Sequence, residues 1–338
     1  MKKKPILKIA GTGHFLPDTV LTNKDLEKIM DTTDEWITQR VGIKERRIIG
    51  EADLSTSDMA TAAAKKALED AGVSSKDIDC IIVATISPDM QFPSTAIFVQ
   101  KNIGAENAAA FDVSAACTGW IYAMTVAEGY IAAGKFKNIL VIGVEFLTSL
   151  ADINDRSTYV LFGDAAGAAV VQPADAENGM IGSYIKSNGE LADLLWSYGG
   201  GTLLNKKVSD QEKMTDKDGL DKRSMIRMQG NKVYKYAVRA MIESAEEAMR
   251  DAGITEDDLT FLIPHQANLR IIDAIAKRVN MPDEKVMRNI EKLGNTSSAS
   301  IPVALDQAIK QGRIKKGDVV LTAAFGGGFT WGGLVIKI

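Results

Sequence analysis

The chain echoes itself, and that repetition restricts its fold more than any other feature. Glu69-Asp70-Ala71-Gly72-Val73-Ser74-Ser75-Lys76-Asp77-Ile78-Asp79 is matched downstream by Arg250-Asp251-Ala252-Gly253-Ile254-Thr255-Glu256-Asp257-Asp258-Leu259-Thr260. Each copy reads as a helix end, a tight turn at glycine and entry into a strand. A second echo follows in the same order. Cys117-Thr118 opens a helical segment that reaches Gly134-Lys135-Phe136-Lys137, and Asn295-Thr296 opens one that reaches Gly312-Arg313-Ile314-Lys315 at the same spacing. Two echoes in one order predict a duplicated βα unit, with halves at 1–178 and 179–338. A pseudo-twofold between them would put Cys117 and Asn295 at corresponding helix starts. His265 would then stand at the end of the strand that mirrors Ile81–Thr85.

Strand-like and helix-like segments alternate between the echoes, which predicts an α/β fold. Ile81 to Thr85 and Ile139 to Val144 are short, β-branched and uniformly apolar, as strands buried on both faces must be. Ala60 to Ala71 reads as an alanine-rich helix closed by Gly72. Asn231 to Met249 reads as a helix that turns Tyr234, Val238, Met241, Ile242, Ala245 and Met249 inward and stops at Gly253. Gly199 to Lys222 is rich in lysine and aspartate with few apolar anchors, so an exposed excursion is expected there.

Several function classes drop out early. A net charge of −4 offers no global field for nucleic acid. The two cysteines, Cys80 and Cys117, cannot build a disulfide framework and suit a reducing compartment; the two histidines, His14 and His265, form no metal-binding motif. The basic start is broken by Lys8 and Gly11 and lacks a signal peptide's apolar core. No run approaches the roughly 18 to 20 apolar residues that span a bilayer. A cytoplasmic protein without metal, nucleic acid or membrane partners is expected.

Cys117 follows the apolar run Ala108 to Val113 and opens a helix carrying Trp120, Ile121, Met124, Ala127 and Ile131. A helix start lowers a cysteine pKa and suits a nucleophile, and small neighbours leave room for a substrate. The same context also suits a buried small hydrophobe. Cys80 reads as core. His265 ends an apolar strand at Pro264, where α/β folds display reactive groups, although a structural histidine fits as well. His14 sits in an early loop after Gly11-Thr12-Gly13, which lacks the third glycine of a dinucleotide fingerprint because Leu16 stands there. Asn295 reads as a helix N-cap. The closing run Phe325-Gly326-Gly327-Gly328-Phe329 has no phosphate-loop lysine and suits close backbone approach, with an N–H turned toward a ligand. Thr32 with Glu35 reads as a capping box, which puts Trp36 and Arg40 on one helix face.

Together these motifs resemble β-ketoacyl-acyl-carrier-protein synthase III, the initiating condensing enzyme of type II fatty-acid synthesis in the thiolase-like superfamily. The resemblance runs through Thr33-Asp34-Glu35-Trp36-Ile37, Arg40 to Arg46, Phe92-Pro93-Ser94, Ala115-Ala116-Cys117-Thr118-Gly119, Asp155-Arg156, Phe162-Gly163-Asp164, Pro264-His265-Gln266-Ala267-Asn268 and Gly294-Asn295-Thr296-Ser297-Ser298. It implies a thiolase-like fold, two pseudo-duplicated βα halves in a layered αβαβα sandwich.

Carried over by position, the resemblance makes Cys117, His265 and Asn295 a catalytic triad, with the N–H groups of Cys117 and Gly327 as the oxyanion hole. It implies coenzyme A contacts from Thr32, Trp36, Arg40, Arg156, Tyr234 and Asn268, with Trp36 and Arg156 on either side of the adenine. Tyr234 departs slightly from the phenylalanine often found there. Phe92 would close the acyl pocket of a partner in a homodimer and favour a short starter such as acetyl. The implied reaction joins an acyl-CoA to malonyl-acyl-carrier protein with loss of CO₂. Coenzyme A is there a substrate, and no cofactor is needed. Docking of an acidic carrier protein calls for a basic patch. Arg270 and Lys277, with Arg278, lie on one segment, and Lys232, Lys235 and Arg239 on another.

Competing families fit less well. A degradative thiolase would carry a second cysteine where Phe325 stands, and a hydroxymethylglutaryl-CoA synthase would need a glutamate base before Cys117. A paralogous acyltransferase or specialised-metabolite condensing enzyme could use the same triad. A non-catalytic coenzyme A or carrier-protein binding module has no need of that triad, and a nucleotide-dependent oxidoreductase needs the missing glycine.

Overall fold

A computed structural model describes residues 6–174, 178–199, 201–202 and 225–338. The expected excursion at 199–222 falls largely outside these residues.

Two sheets carry the molecule. The first holds β1 (Leu7–Phe15), β4 (Cys80–Ala84), β5 (Ala109–Val113), β6 (Ile139–Glu145) and β7 (Ala165–Pro173) in the order β1-β7-β6-β4-β5. The second holds β8 (Gly179–Ser187), β11 (Phe261–Pro264), β12 (Val319–Gly326) and β13 (Thr330–Lys337) in the order β11-β12-β13-β8. Two short antiparallel pairs flank them, β2 (Thr19–Thr22) with β3 (Glu45–Ile48) and β9 (Leu195–Trp196) with β10 (Arg227–Met228).

The two large sheets repeat one wiring. β1 runs antiparallel to β7, β7 antiparallel to β6, and β6 parallel to β4. Likewise β8 runs antiparallel to β13, β13 antiparallel to β12, and β12 parallel to β11. Even the outermost strand has a trace, since β4 pairs in parallel with β5 and Leu262 bridges in parallel to Val286.

Alternation along the strands sorts side chains into layers. Cys80, Ile82 and Ala84 of β4 face a central helical layer, Gly119–Ala132 and Ser300–Lys310, which also receives Ile263, Val320 and Leu334 of the second sheet. Ile81 and Val83 face the outer helices Thr56–Ala71 and Thr95–Ile103. Leu262, Leu321 and Val335 face Gly230–Ala252 and Leu269–Arg278 on the far side. The result is a five-layer αβαβα sandwich. Each fully buried Ile, Leu or Val contributes about 1.5–3 kcal/mol relative to exposure, so the doubly covered strands anchor it.

Three local expectations change. Gly11, Thr12, Gly13 and His14 lie within β1 rather than in a loop, because a Cβ at Gly11 or Gly13 would meet the backbone of Ala71 or Ala67 in the packed Thr56–Ala71 helix. The Gly230–Ala252 helix buries Val233, Ala237, Met241, Ser244 and Ala248, leaving Tyr234 exposed. Its true inward stripe contains small residues, which apolarity alone undervalues. At Asp34–Val41 the cap is Thr33, whose hydroxyl accepts the Trp36 N–H at 3.1 Å, not Thr32.

Candidate active site

β5 ends at Val113, and the chain passes through a 3-10 turn, Ala116–Thr118, directly into the Gly119–Ala132 helix. Ala116 holds φ at +47°, a conformation that costs an L-residue about 1–2 kcal/mol. The end of β12 presses on this turn, since a Cβ on Gly326 would lie 2.7 Å from the Cys117 backbone nitrogen. Glycine is therefore required for that approach. Cys117 is left partly exposed, lining a cavity of about 1330 Å³ with Ser297 and Gly327. A Cβ on Gly327 would sit 2.8 Å from the Leu195 carbonyl oxygen, so only backbone fits there.

Burial opposes the activation that a helix start predicts for this thiol. Burial pushes Cys117 up to about 12, and the negative charge of Glu145 adds to the rise. The Ser297 hydroxyl and the residue's own N–H oppose it without prevailing. Desolvation outweighs the helix start. Cys80 is fully buried within β4, as expected of core.

His265 continues the ladder beyond β11, its N–H donating to the Ala323 carbonyl at 2.8 Å. Its ring is fully buried and packs edge-on against Phe325. The Ser300 hydroxyl oxygen accepts the Gln266 N–H at 2.8 Å and lies 3.0 Å from His265 Nδ1. Ser300 thus occupies Nδ1 and leaves Nε2 as the open ring nitrogen. Among the described residues nothing pairs with Nε2. Burial holds the imidazole down to about 3, so it is neutral at physiological pH.

Asn295 is tied to the other half of the molecule. Its N–H donates to Leu161 at 2.8 Å, its carbonyl accepts from Gly163 at 3.1 Å, and its Oδ1 accepts the Ser297 N–H at 2.9 Å. That last bond leaves the Nδ2 donor as the working edge. Asn295 is not the counterpart of Cys117, however. Ser297 shares the positive φ of Ala116 and begins the 3-10 turn Ser297–Ala299, which makes Ser298 the counterpart. Asn295 lies three residues earlier.

The buried turn Asn295–Ser300 connects all three candidate residues. Ser297 lines the cavity with Cys117 and holds Asn295 through its N–H, and Ser300 holds His265. Sequence reasoning assigned no role to Ser297, Ser300 or Glu145. The available signal was a run of hydroxyls in a segment that the fold buries completely.

A second group of residues gathers at the Trp36 helix. Arg40 and Arg156 both place guanidinium groups over the Trp36 ring, at 5.2 and 5.1 Å from its centroid. Arg156 also donates to the Asp31 carbonyl at 2.5 Å. Inserting a planar base between an indole and a guanidinium needs about 7 Å, two contacts of about 3.5 Å. Trp36 and Arg156 are therefore closed on each other here. Thr32 stands beside them with its hydroxyl buried and unpartnered among the described residues. Asn268 caps the Leu269–Arg278 helix, accepting the Arg270 N–H at 2.9 Å, and donates to the Arg40 carbonyl at 3.3 Å.

The remaining positions are peripheral. Phe92 is 83% exposed on the loop beside the cavity. Arg270 donates to the Gln39 carbonyl at 3.0 Å near this second group, and Lys277 is exposed on the same helix. Arg278 is neutralised by Glu246 and Glu256. Among the described residues no His, Cys, Asp and Glu group is arranged to hold a metal ion, and no helix is long and apolar enough to cross a membrane.

Residues 111–189 match the 3-oxoacyl-[acyl-carrier-protein] synthase III family, and 249–338 match its C-terminal family. A β-ketoacyl-[acyl-carrier-protein] synthase III from Caldanaerobacter subterraneus is 49% identical over 329 residues, spanning 97% of each chain. The crystal structure of the Aquifex aeolicus 3-oxoacyl-[acyl-carrier-protein] synthase III superposes with a TM-score of 0.88 at 47% identity, covering 98% of this chain and all of that one. A priming β-ketosynthase from a polyketide biosynthetic pathway also superposes at 0.88, with 35% identity over 100% of this chain and 98% of its own. With the same fold and this identity along nearly its whole length, the chain belongs to the β-ketoacyl-[acyl-carrier-protein] synthase III family of condensing acyltransferases.

Proposed function

We propose that the protein condenses an acyl-CoA starter, acetyl-CoA, with malonyl-acyl-carrier protein to give a 3-oxoacyl-carrier protein. Cys117 attacks the thioester and keeps the acyl group while coenzyme A departs. The N–H groups of Cys117 and Gly327 stabilise the oxyanion. Malonyl-acyl-carrier protein then loses CO₂. His265 Nε2–H and Asn295 Nδ2–H donate to the thioester oxygen as the enolate forms, and its carbon attacks the acyl group on Cys117. Decarboxylation drives the step, so the proposed reaction calls for neither metal nor redox cofactor. The observation that carries this reading is the Asn295–Ser300 turn, which ties a cavity-lining cysteine to a neutral histidine and an oriented amide.

The same reading assigns Thr32, Trp36, Arg40, Arg156, Tyr234 and Asn268 to coenzyme A, and Arg270 with Lys277 to the acidic carrier protein. It takes residues 1–178 and 179–338 as the two halves, the exposed Phe92 as a contact across a homodimer that closes the partner's acyl pocket, and the cytoplasm as the location.

The test is to incubate the protein with radiolabelled acetyl-CoA and then add malonyl-acyl-carrier protein. Covalent label that vanishes in Cys117→Ala and moves to a 3-oxoacyl product supports the reading. Label that loads and transfers without malonyl-dependent extension overturns it in favour of an acyltransferase. The polyketide neighbour favours a second reading, priming of a specialised pathway. A panel of longer and branched acyl-CoAs loading faster than acetyl would select it.

A further inference from the structure

The acylation step needs a base, and His265 is badly placed to be one. Ser300 occupies its Nδ1, and burial makes the imidazole a weak acceptor. The charged group whose field reaches Cys117 is Glu145, fully buried at the end of β6.

Glu145 is asymmetrically held. Its Oε2 accepts the Ile86 N–H at 3.1 Å and the Ser87 hydroxyl at 2.7 Å, with the Thr85 hydroxyl at 3.4 Å. Ser87 Oγ accepts from the Phe146 N–H and Thr85 Oγ1 from the Ser87 N–H, so both hydroxyl hydrogens point into the carboxylate. Oε1 accepts the Ser297 hydroxyl at 3.0 Å. Ser297 and Cys117 line the same cavity, on turns that pack together.

We propose that Glu145 is the base for acylation, receiving the Cys117 proton through the Ser297 hydroxyl. The proposal rests on Cys117 being the nucleophile, as argued above. The S–H bond breaks as Ser297 Oγ takes that proton, and the original Ser297 hydroxyl proton passes to Glu145 Oε1. The freed sulfur pair attacks the thioester carbon. The bond to the coenzyme A sulfur then breaks, and coenzyme A leaves as a thiolate that takes a proton from solvent. After condensation Cys117 departs as a thiolate, and the proton on Glu145 returns by the reverse hop. One solvent proton is consumed per turnover, matching the CO₂ lost from a carboxylate. Burial pushes Glu145 up against its hydrogen bonds, which strengthens it as an acceptor. The groups facing it are the hydroxyls of Thr85, Ser87, Ser297 and Ser298, the Ile86 N–H and the Cys117 thiol.

The test compares Glu145→Gln and Ser297→Ala with the wild type. Ala116 already adopts the Ser297 backbone conformation, so alanine is compatible at that position. Single-turnover acyl loading at neutral pH is expected to fall about 100-fold or more in each variant, and no further in the double variant. Unprimed decarboxylation of malonyl-acyl-carrier protein should fall by far less than loading in each variant. Iodoacetamide labelling of the Cys117 peptide, read by mass spectrometry across pH, should slow in Glu145→Gln. An electrostatic role alone predicts the opposite sign, because removing the negative charge eases ionisation. Faster labelling, unchanged loading, or an equal fall of loading and decarboxylation would each overturn the relay. If the wild type loads no acyl-CoA, the proposed function fails, while the labelling series still decides the relay.

Discussion

Ala116 and Ser297 are backbone counterparts: φ is 47° at the first and 46° at the second, and each begins a 3-10 turn that leads into a helix of the central layer. The β12 strand packs on the first turn and the β6 strand on the second. The site therefore forms where each half braces the other's strained turn.

That bracing makes Gly326 sensitive. In Gly326→Ala the new Cβ would sit 2.7 Å from the Cys117 nitrogen and 3.2 Å from that of Thr118, both backbone atoms that cannot swing aside. Cys117 must shift, and misplacement of a nucleophile costs about 100-fold. Acyl loading should fall by that order while circular dichroism still shows a folded protein.

Trp36→Ala removes the ring that Arg40 and Arg156 both cover. With cation–π contacts of about 0.5–1 kcal/mol each and the stacking face lost, KM for acyl-CoA should rise about 10-fold with kcat nearly unchanged. Steady-state kinetics separates the two. A fall in kcat alone would remove Trp36 from substrate binding.

Arg46 is fully buried and donates to the carbonyls of Leu21 and Val160 at 3.1 and 2.6 Å and to Asn23 Oδ1 at 2.9 Å. Burial lowers its pKa to about 10, still far above neutrality. Arg46→Ala leaves three acceptors unpaired in the interior and should cost about 2–4 kcal/mol. Urea unfolding would show a lower midpoint at an unchanged slope.

Asp306 joins the central layer to β1. Burial would raise its pKa, but the His14 ring, the Thr12 hydroxyl and Lys310 overcome that and hold it at about 2. A carboxylate depressed on folding contributes stability above its unfolded pKa and loses it as pH falls through the folded value. Asp306→Asn should therefore melt lower than wild type at pH 7, by about 2 kcal/mol. The gap should close between about pH 4 and pH 2. A gap independent of pH would mean shape rather than charge.

The strands and the placement of Cys117 and His265 were legible because their signals are local. β4 and β6 are continuous apolar runs, and Cys117 and His265 follow strands directly. The counterpart of Cys117 was misplaced because two differences cancel in the spacing. The Ser300–Lys310 helix is shorter than Gly119–Ala132, and Asn295 lies correspondingly farther ahead of its strained turn. Glu145 escaped notice because it closes an apolar run that reads as ending at Val144. Its importance comes from Ser87 and Ser297, which only tertiary structure brings to it. The raised Cys117 pKa was equally out of reach, since a helix start is visible in sequence and the depth of a cavity is not.

The repeated wiring also creates a second position equivalent to Cys117, and the packing has sealed it. Ser298 is 1% exposed, and its hydroxyl donates to the Ala84 carbonyl at 2.8 Å. A Cβ on Gly143 would lie 2.3 Å from the Ser298 carbonyl oxygen. A cysteine transplanted to 298 would face a wall rather than a substrate. One turn of the pair has become a door and the other its hinge post, so a repeated backbone carries one turn that opens on the cavity and one that is closed.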